Sequence, residues 1–289
     1  MFKKISTSYN LVKISFSYIK RDGELLVYSI MSLLASLAIL LTFVWIDFYT
    51  VGFIDSLSQE SESGEVVSEM IVYWAMFAYY FIFSFITFFF NTAIITSVQR
   101  RNEWKDNKLW DGLRDSMKHL KEIFIWSLIN ATVTMILKII QSKFPEDSFV
   151  WKIIVWIIWW MWNILTFFSF PIMIINKVGP KDAIKESASL FKKTWGERAA
   201  IHVWIGFMFF FMYLVVIFIA ILAIITGLTI TGFSILILGL MFLAILSSTA
   251  DVIIKTILLH YAQYGTLPDW LNDSEKIIFD DIAWEKTIK

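Results

Sequence analysis

The chain has 289 residues, of which 58% are hydrophobic and 18% aromatic, and its formal net charge is zero. Soluble domains are about 45–50% apolar, so this composition argues against a soluble globular domain. The chain contains no cysteine, which excludes disulfides, thiolate zinc sites, iron–sulfur clusters and cysteine nucleophiles.

The first segment, Met1 to Glu24, predicts an amphipathic helix that lies on the membrane surface. Its apolar stripe comprises Tyr9, Val12, Phe16 and Ile19. The first membrane span follows at about Leu25 to Trp45, and its late start and its length predict a retained span, not a cleaved signal peptide. Within this span Ser32 and Ser36 form a small-xxx-small pair, which either lets another helix approach closely or is merely tolerated.

The segment from Asp47 to Glu69 is acidic and is predicted to be a loop. It contains six Asp or Glu residues and no Lys or Arg. These acidic side chains either collect cations or are simply solvated. In the second case membrane topology accounts for the lack of Lys and Arg on that side.

Spans 2 and 3 flank a basic segment. Span 2 is predicted from about Ile71 to Val98, and span 3 from about Ile123 to Ile140. Between them, Arg100 to Glu122 carries seven Lys or Arg residues. The apolar stripe that predicts the second amphipathic helix comprises Trp110, Leu113, Met117, Leu120 and Phe124.

The remaining spans repeat this arrangement. Span 4 is predicted from about Phe149 to Ile175, and Pro171 is expected to break its regularity. The third amphipathic helix is predicted at Gly179 to Glu197, where lysines lie off an apolar stripe. That stripe comprises Ile184, Ala188, Phe191 and Trp195. Spans 5 and 6 are predicted at about Ala199 to Ile225 and from about Phe233 to Leu259 or beyond.

Lys and Arg concentrate on one side of the predicted spans. The N-terminal segment carries five, the segment between spans 2 and 3 seven, and the segment between spans 4 and 5 six. The acidic segment and the predicted tight turn from Thr226 to Gly232 carry none. By the positive-inside rule both termini lie in the cytoplasm, and we expect a prokaryotic cytoplasmic membrane.

The sequence therefore predicts an all-α integral membrane protein with six transmembrane helices. They form three hairpins, each preceded by a cytoplasmic amphipathic interfacial helix. The single membrane domain covers residues 1–264, and a cytoplasmic tail with a short helix, at about Ile277 to Trp284, covers 265–289.

The three amphipathic segments align without gaps over their central parts. Ser15 matches Ser116 and Ser187 in this alignment. The match predicts an internal repeat, with pseudo-repeats at about residues 1–100, 101–178 and 179–264.

Basic residues beside the apolar stripes are predicted to contact lipid headgroups. Anionic headgroups attract such residues by about 1 kcal/mol each near the surface. The candidates are Lys13, Lys20, Arg21, Arg114, Lys118, Lys121, Lys185, Lys192 and Lys193. Because the positive-inside rule already explains this charge, no nucleic-acid partner is predicted.

Polar residues inside the spans are the other candidates. Asn91, Asn130 and Asn163 lie in spans 2, 3 and 4, where they either form a polar path for a solute or join packed helices by hydrogen bonds. Asp251 and Lys255 lie four residues apart in span 6 and can pair, either as an interfacial clamp or as a proton relay.

No residue set predicts a catalytic, cofactor or metal site. The three histidines, His119, His202 and His260, belong to no metal-ligand motif. Trp156, Trp159 and Trp160 lie too deep in span 4 for an interfacial belt, which predicts that some contact another helix or another subunit.

The segments FFFNTAIITSVQRR, DGLRDSMKHL, VGPKDAIKESASLFKKTWGE and LHYAQYGTLPDW resemble a family of uncharacterised six-span membrane proteins of bacteria and archaea. The resemblance covers most of the chain from Ser15 to Trp270. The layout is also similar to the membrane portion fused to some glycerophosphodiester phosphodiesterases, but no catalytic domain of that type is present. The resemblance implies the six-span topology and no particular activity.

We therefore expect a non-enzymatic membrane protein that acts as a subunit, scaffold or lipid-organising component of a membrane assembly. Its expected partners are anionic membrane lipids and other membrane subunits or further copies of itself. The alternative is a transporter or channel for a small solute, with a polar path near the three span asparagines. An intramembrane enzyme that uses His202, His260 and Asp251 is the third hypothesis.

Overall fold

The computed structural model describes the backbone of residues 2–60, 62–142, 149–195, 199–264 and 271. It describes the side chains of residues 11–46, 70–142, 150–190, 206–264 and 271. In these ranges the chain is helical and contains no strand. The helices are α1 (Phe2–Arg21), α2 (Glu24–Glu60), α3 (Glu62–Asn102), α4 (Leu109–Lys118), α5 (Leu120–Ser142), α6 (Phe149–Leu165), α7 (Ser169–Asn176), α8 (Pro180–Trp195), α9 (Ala199–Ile225) and α10 (Thr229–Tyr264).

Six stretches of the described helices are long and apolar enough to cross a membrane. They are Glu24–Ile46, Met70–Asn102, Leu120–Ser142, Val150–Asn176, Gly206–Ile225 and Thr229–Tyr264. Each coincides with one predicted span, so the all-α class and the six spans are confirmed. The three amphipathic segments also form helices, α1, α4 and α8. The second one is shorter than predicted, because α4 ends at Lys118 and places Leu120 and Phe124 of the predicted stripe in α5.

Two of the three predicted hairpins are closely packed, and the middle one is open. α2 packs along α3, and α9 packs along α10. α5 instead packs mainly on α3 and meets α6 at few positions. An aromatic cluster lies at this contact, because the Phe88 ring of α3 lies 6.5 Å from that of Trp126 on α5 and 4.6 Å from that of Phe170 on α7.

Span 4 is broken into two helices, α6 and α7, at residues 166–168. Pro171 has no N–H, and its ring would clash with the carbonyl of Phe167 in a continuous helix. The break therefore lies one turn before the proline. The N–H of Phe168 donates to Oγ of Ser187 on α8, at 3.1 Å, and this bond replaces the helical bond that the break removes.

The described residues of the acidic segment, all but Ser61, are helical, so the predicted loop is wrong. α2 continues to Glu60, and α3 begins at Glu62. Residues 47–69 contain no proline, and polarity alone does not end a helix. α2 has 37 residues and α3 has 41, which correspond to lengths of about 55 and 60 Å. Both helices are much longer than the hydrocarbon core, which is about 30 Å thick.

The turn between α9 and α10 is shorter than predicted, because α10 begins at Thr229. Gly227 has a φ of +87°, a backbone conformation that favours glycine. Gly232, which the sequence placed in the turn, lies inside α10. A Cβ atom at this glycine would lie 2.8 Å from the carbonyl oxygen of Ala220, so Gly232 allows α10 to approach α9 closely.

α1 belongs to the protein core, which corrects the prediction that its apolar stripe lies in the membrane surface. Leu11, Ile14 and Tyr18 are buried, and the helix packs against α9 and α10. The Tyr18 hydroxyl donates to Oδ1 of Asn102 at the end of α3, at 2.6 Å. The buried residues of α1 lie on one broad face, opposite the exposed Lys13 and Lys20, so the apolar face of this amphipathic helix packs against protein. Of the predicted stripe, Val12 and Ile19 are buried and Phe16 is half-buried, whereas the Tyr9 side chain lies outside the described residues.

The three serines that align in the amphipathic segments are all fully buried. Ser15, Ser116 and Ser187 each have zero exposed area. Ser116 donates to the carbonyl of Phe89 at 2.9 Å, so α4 is bound to the helix that precedes it, as Ser187 binds α8 to the end of span 4. This similarity is consistent with the internal repeat, which stays a prediction. Of the predicted tail, only Leu271, which is buried in the core, lies within the described residues.

Candidate functional site

A cavity of about 160 Å³ lies between α3, α5, the broken span 4 and α10. We name it the amide cavity. All five intramembrane polar residues that the sequence singled out line it, and they are Asn91, Asn130, Asn163, Asp251 and Lys255. Four separate spans contribute these residues, so the fold brings together groups that lie far apart in the sequence.

The three asparagines differ in their hydrogen bonds. Asn130 donates from Nδ2 to Oγ of Ser84 on α3, at 2.8 Å, and so joins two helices. Asn163 donates to the carbonyl of Trp159 in its own helix, at 2.8 Å. The amide of Asn91 has no hydrogen-bond partner among the described residues. The role of joining packed helices by hydrogen bonds, one of the two that the sequence left open, therefore fits Asn130 and does not fit Asn91.

The predicted pair of Asp251 and Lys255 is present. Lys255 donates from Nζ to Oδ2 of Asp251 at 2.6 Å, and the two residues are one turn apart on α10. The Lys255 ammonium also lies 5.0 Å from the centroid of the Phe167 ring, within the range of a cation–π contact. The pair therefore faces the amide cavity and places no net charge in it.

The break in span 4 lies at the wall of the amide cavity. Thr166 and Phe167, which belong to the break, both line the cavity, as does Pro171. Non-helical backbone at membrane depth is tolerated only where protein buries it or where it lines a water-filled cavity. In many transporters, broken helices of this kind form the substrate site. Neither residue of the break was singled out from the sequence, although Pro171 indicated that a break would occur.

A second cavity, of about 310 Å³, lies between α2, α3 and α10. We name it the serine cavity, because Ser29, Ser32 and Ser36 line it from one face of α2. Ser29 is also within 2.6 Å of the Thr249 hydroxyl on α10. The sequence indicated Ser32 and Ser36 as a possible contact for another helix, and the structure places both on this cavity. Asn91 lines the serine cavity as well as the amide cavity.

A third cavity, of about 260 Å³, lies between the ends of α3, α7 and α10. We name it the histidine cavity, and its lining includes Gln99, Glu103 and His260. His260 is separated from Asp251 by about 14 Å along α10, at 1.5 Å per residue. The two side chains line different cavities, which argues against a shared catalytic centre. The side chain of His202, the third member of that hypothesis, lies outside the described residues.

The described part of the chain contains no group of three His, Cys, Asp or Glu side chains arranged to hold a metal ion. His119, the remaining histidine, contacts the carbonyl of Asp115 in its own turn through Nδ1, at 2.9 Å.

α4 has the geometry of a helix at a membrane surface. Trp110 and Met117, from its predicted apolar stripe, are 76% and 64% exposed, so this apolar face points away from the protein. The opposite face contains the buried Gly112 and Ser116. Such a face of large apolar side chains is expected to enter the interfacial region of a bilayer.

All the predicted headgroup-contacting residues whose side chains are described are exposed, and Lys118 is among those that also form ion pairs. Lys118, predicted to contact headgroups, pairs with Asp115 at 2.7 Å, and Arg100 binds the same carboxylate. Burial raises the pKa of Asp115, but the hydrogen bonds from Lys118 and Arg100 outweigh it and hold that pKa below its usual value. Seven of the predicted residues are exposed, namely Lys13, Lys20, Arg21, Arg114, Lys118, Lys121 and Lys185. The side chains of Lys192 and Lys193 lie outside the described residues.

The tryptophans of α6 have two environments. Trp156 and Trp160 are 63% and 48% exposed and stack on each other, with ring centroids 6.5 Å apart. Trp159 and Trp162 line the amide cavity instead. The predicted contact of this exposed pair with another helix or another subunit stays a prediction.

Six apolar helices around a set of cavities define a multi-pass integral membrane protein. The chain belongs to a family of unknown function, DUF6159, whose model matches residues 70–268. The predicted resemblance to an uncharacterised family is thereby confirmed. The matched region includes every residue named above on the amide cavity and leaves out α1 and α2. A search of curated proteins found no match to the chain.

Proposed function

We propose that this chain is a non-enzymatic membrane protein that organises anionic lipids, or holds partner subunits, at its basic face. The observation that carries the proposal is the geometry of α4. Its apolar face, which includes Trp110, is exposed, and the basic residues Arg114 and Lys121 are exposed on the same short segment. Apolar insertion and attraction to anionic headgroups act together in such a helix.

The orientation follows from the distribution of charge. The segments that contain α1, α4 and α8 carry five, seven and six Lys or Arg residues, which supports a cytoplasmic location for this face and for both termini. We infer a prokaryotic cytoplasmic membrane, whose anionic lipids would meet the basic residues of this face.

Removal of charge from α4 and from the first turn of α5 is expected to remove bound anionic lipid. The variant Arg114→Gln/Lys121→Gln loses two interfacial charges, worth roughly 2 kcal/mol together, or about a 30-fold loss of affinity for anionic headgroups. Protein purified in mild detergent from a mixture of phosphatidylglycerol and phosphatidylethanolamine would be analysed by mass spectrometry of the co-purified lipids. Wild-type protein should be enriched in phosphatidylglycerol, and the double variant should not.

A matched control removes the same charge from the other side of the molecule. Lys138 is exposed near the C-terminal end of α5, and Lys152 is exposed near the N-terminal end of α6. The variant Lys138→Gln/Lys152→Gln should retain the bound phosphatidylglycerol. Equal lipid retention in both double variants would contradict the proposal. The size of the wild-type particle in the same preparation reports whether the chain is bound to partner subunits or to copies of itself.

A second candidate function is the passage of a small solute, favoured by one specific observation. Asn91, Asn130, Asn163, Asp251 and Lys255 converge on one cavity, where unrelated structural roles would not require them to meet. Polar residues inside membrane proteins commonly mark substrate pathways. The unpartnered amide of Asn91 is the residue most able to bind a solute.

Replacement of Asn91 and of Asn130 separates a role in solute passage from a role in joining two helices. In proteoliposomes, swelling driven by urea or glycine should be faster than in protein-free liposomes. Asn91→Leu should reduce the swelling rate to that of protein-free liposomes with little change in thermal stability, because it breaks no hydrogen bond. Asn130→Leu removes the bond to Ser84 and should lower stability by about 0.6–2 kcal/mol. Wild-type swelling no faster than that of protein-free liposomes would end the transport candidate.

A further inference from the structure

We propose that the three cavities are consecutive parts of one transmembrane path along α3 and α10, partitioned by Asn91 and suited to small polar solutes without net charge. The inference rests on the second candidate function and extends it from one cavity to a route. It assigns the serine and histidine cavities, which the sequence did not indicate, to the two ends of that route.

The order of the cavities along α3 is the first observation. The serine cavity contacts α3 from Tyr79 to Asn91, the amide cavity from Phe88 to Ile95, and the histidine cavity from Gln99 to Glu103. At about 1.5 Å per residue, the stretch from Tyr79 to Glu103 is about 36 Å long. The hydrocarbon core of a bilayer is about 30 Å thick, so the three cavities together cover its depth.

The order along α10 is the same. The serine cavity contacts α10 at Ala244 to Ser248, the amide cavity at Asp251 to Lys255, and the histidine cavity at Thr256 to Tyr264. As spans 2 and 6 of a six-span topology, α3 and α10 run in the same direction across the membrane. The agreement of the two helices therefore indicates that the cavities follow one another along the membrane normal.

Asn91 is the partition between the first two cavities, because it lines both. Its side-chain amide offers two N–H donors and one carbonyl acceptor. Without a partner among the described residues, these groups can bind a solute on either side of the partition. The Asn91 side chain also occupies the place where the two cavities meet, so it narrows the opening between them.

The chemistry of the walls indicates the class of solute. In the amide cavity the charges of Asp251 and Lys255 neutralise each other, so no net charge compensates for an ion that has lost its water. The carbonyl oxygen of Asn163 and the amide of Asn91 supply acceptors and donors. The serine cavity adds the hydroxyls of Ser32 and Ser36. These groups match neutral or zwitterionic molecules that both donate and accept hydrogen bonds, such as small amides, polyols or amino acids.

The absence of cysteine in the natural sequence allows a direct test by single-cysteine labelling. A thiol reacts with N-ethylmaleimide as the thiolate, which requires contact with water. Ser32→Cys and Thr166→Cys report on the serine and amide cavities. Leu34→Cys and Leu165→Cys are the matched controls, because each lies within two residues of its partner and exposes its side chain away from the cavities.

In proteoliposomes, the two cavity positions should react several-fold faster than their neighbouring controls. Equal rates within each pair would overturn the inference and leave the lipid-organising proposal untouched. Fast labelling without urea flux would instead overturn the transport candidate while showing that the cavities contain water. The two failures are therefore distinguishable.

The partition has its own test. Asn91→Ala shortens the side chain and joins the two cavities, so this variant should pass urea at least as fast as the wild-type protein. Asn91→Leu fills the same place with an apolar group and should stop the flux. The same rate for both variants, measured by the swelling assay at equal protein content, would overturn the partition role of Asn91.

Discussion

Replacement of Asp22 by asparagine is expected to destabilise the protein by about 3–5 kcal/mol, the usual cost of removing one partner from a buried ion pair. The Asp22 side chain, in the short connection between α1 and α2, is only 3% exposed. Arg101, at the end of α3, donates from Nε to Oδ2 of Asp22 at 2.6 Å and makes a second bond to Oδ1. The variant leaves the guanidinium without its counter-charge in a largely buried place.

An exposed ion pair of the same region provides the control. Glu103 pairs with Lys105, and both side chains are about 60% exposed. Glu103→Gln should therefore change stability by less than about 1 kcal/mol. Unfolding in mild detergent, followed by intrinsic tryptophan fluorescence, measures both variants. A shift for Asp22→Asn no larger than that for Glu103→Gln would contradict the expected role of the buried pair.

Gly112→Ala is expected to displace α4 from the bundle at a cost of about 1–3 kcal/mol, typical of overpacking. A Cβ atom at Gly112 would lie 2.3 Å from the Tyr28 hydroxyl and 2.9 Å from Oγ of Ser97. The Tyr28 hydroxyl is held in place, because it donates to the carbonyl of Leu109 at 2.9 Å. The Tyr28 ring therefore cannot move aside without breaking this bond between α2 and α4.

Two further variants make this prediction specific. Gly179→Ala, at a glycine with no atom within 4 Å of the added Cβ, should leave stability almost unchanged. Tyr28→Phe removes the closest atom, so the double variant Gly112→Ala/Tyr28→Phe should lose less stability than the two single losses added together. Strictly additive losses would show that the contact between Gly112 and Tyr28 is not the cause. Thermal unfolding and the rate of proteolysis between α3 and α4 measure the effect.

The membrane architecture could be predicted because its signals are local. A run of apolar residues long enough to span the bilayer identifies each of the six spans. An apolar stripe with Lys and Arg beside it identifies α1, α4 and α8. The pairing of Asp251 with Lys255 also followed from helical periodicity alone. Each of these features depends on residues that are close in sequence.

The corrections concern features that depend on the rest of the fold. The helical backbone of the acidic segment could not be told from a loop, because charge is compatible with both. The burial of α1 depends on α9 and α10, which lie about 200 residues away in the chain. The Phe168–Ser187 bond likewise requires α8 to return to the break in span 4.

The candidate site was partly predictable in the same sense. Asn91, Asn130 and Asn163 stood out because amides are rare and costly among apolar side chains. Their convergence on one cavity could not be predicted, because it depends on the packing of α5 mainly against α3 and at few positions against α6. The hydroxyls of the serine cavity carried a weak signal, in that Ser29, Ser32 and Ser36 recur on one face of α2.

The bond between Ser116 and Phe89 connects the membrane surface mechanically to the interior of the protein. Ser116 lies on α4, whose exposed apolar side chains we propose to enter the bilayer surface, and Phe89 lies two residues before Asn91 on α3. A change in bilayer thickness or lateral pressure that shifts α4 must therefore either carry this part of α3 with it or break the bond. The width of the opening beside Asn91 would then depend on the tension of the surrounding membrane as well as on the solute inside it.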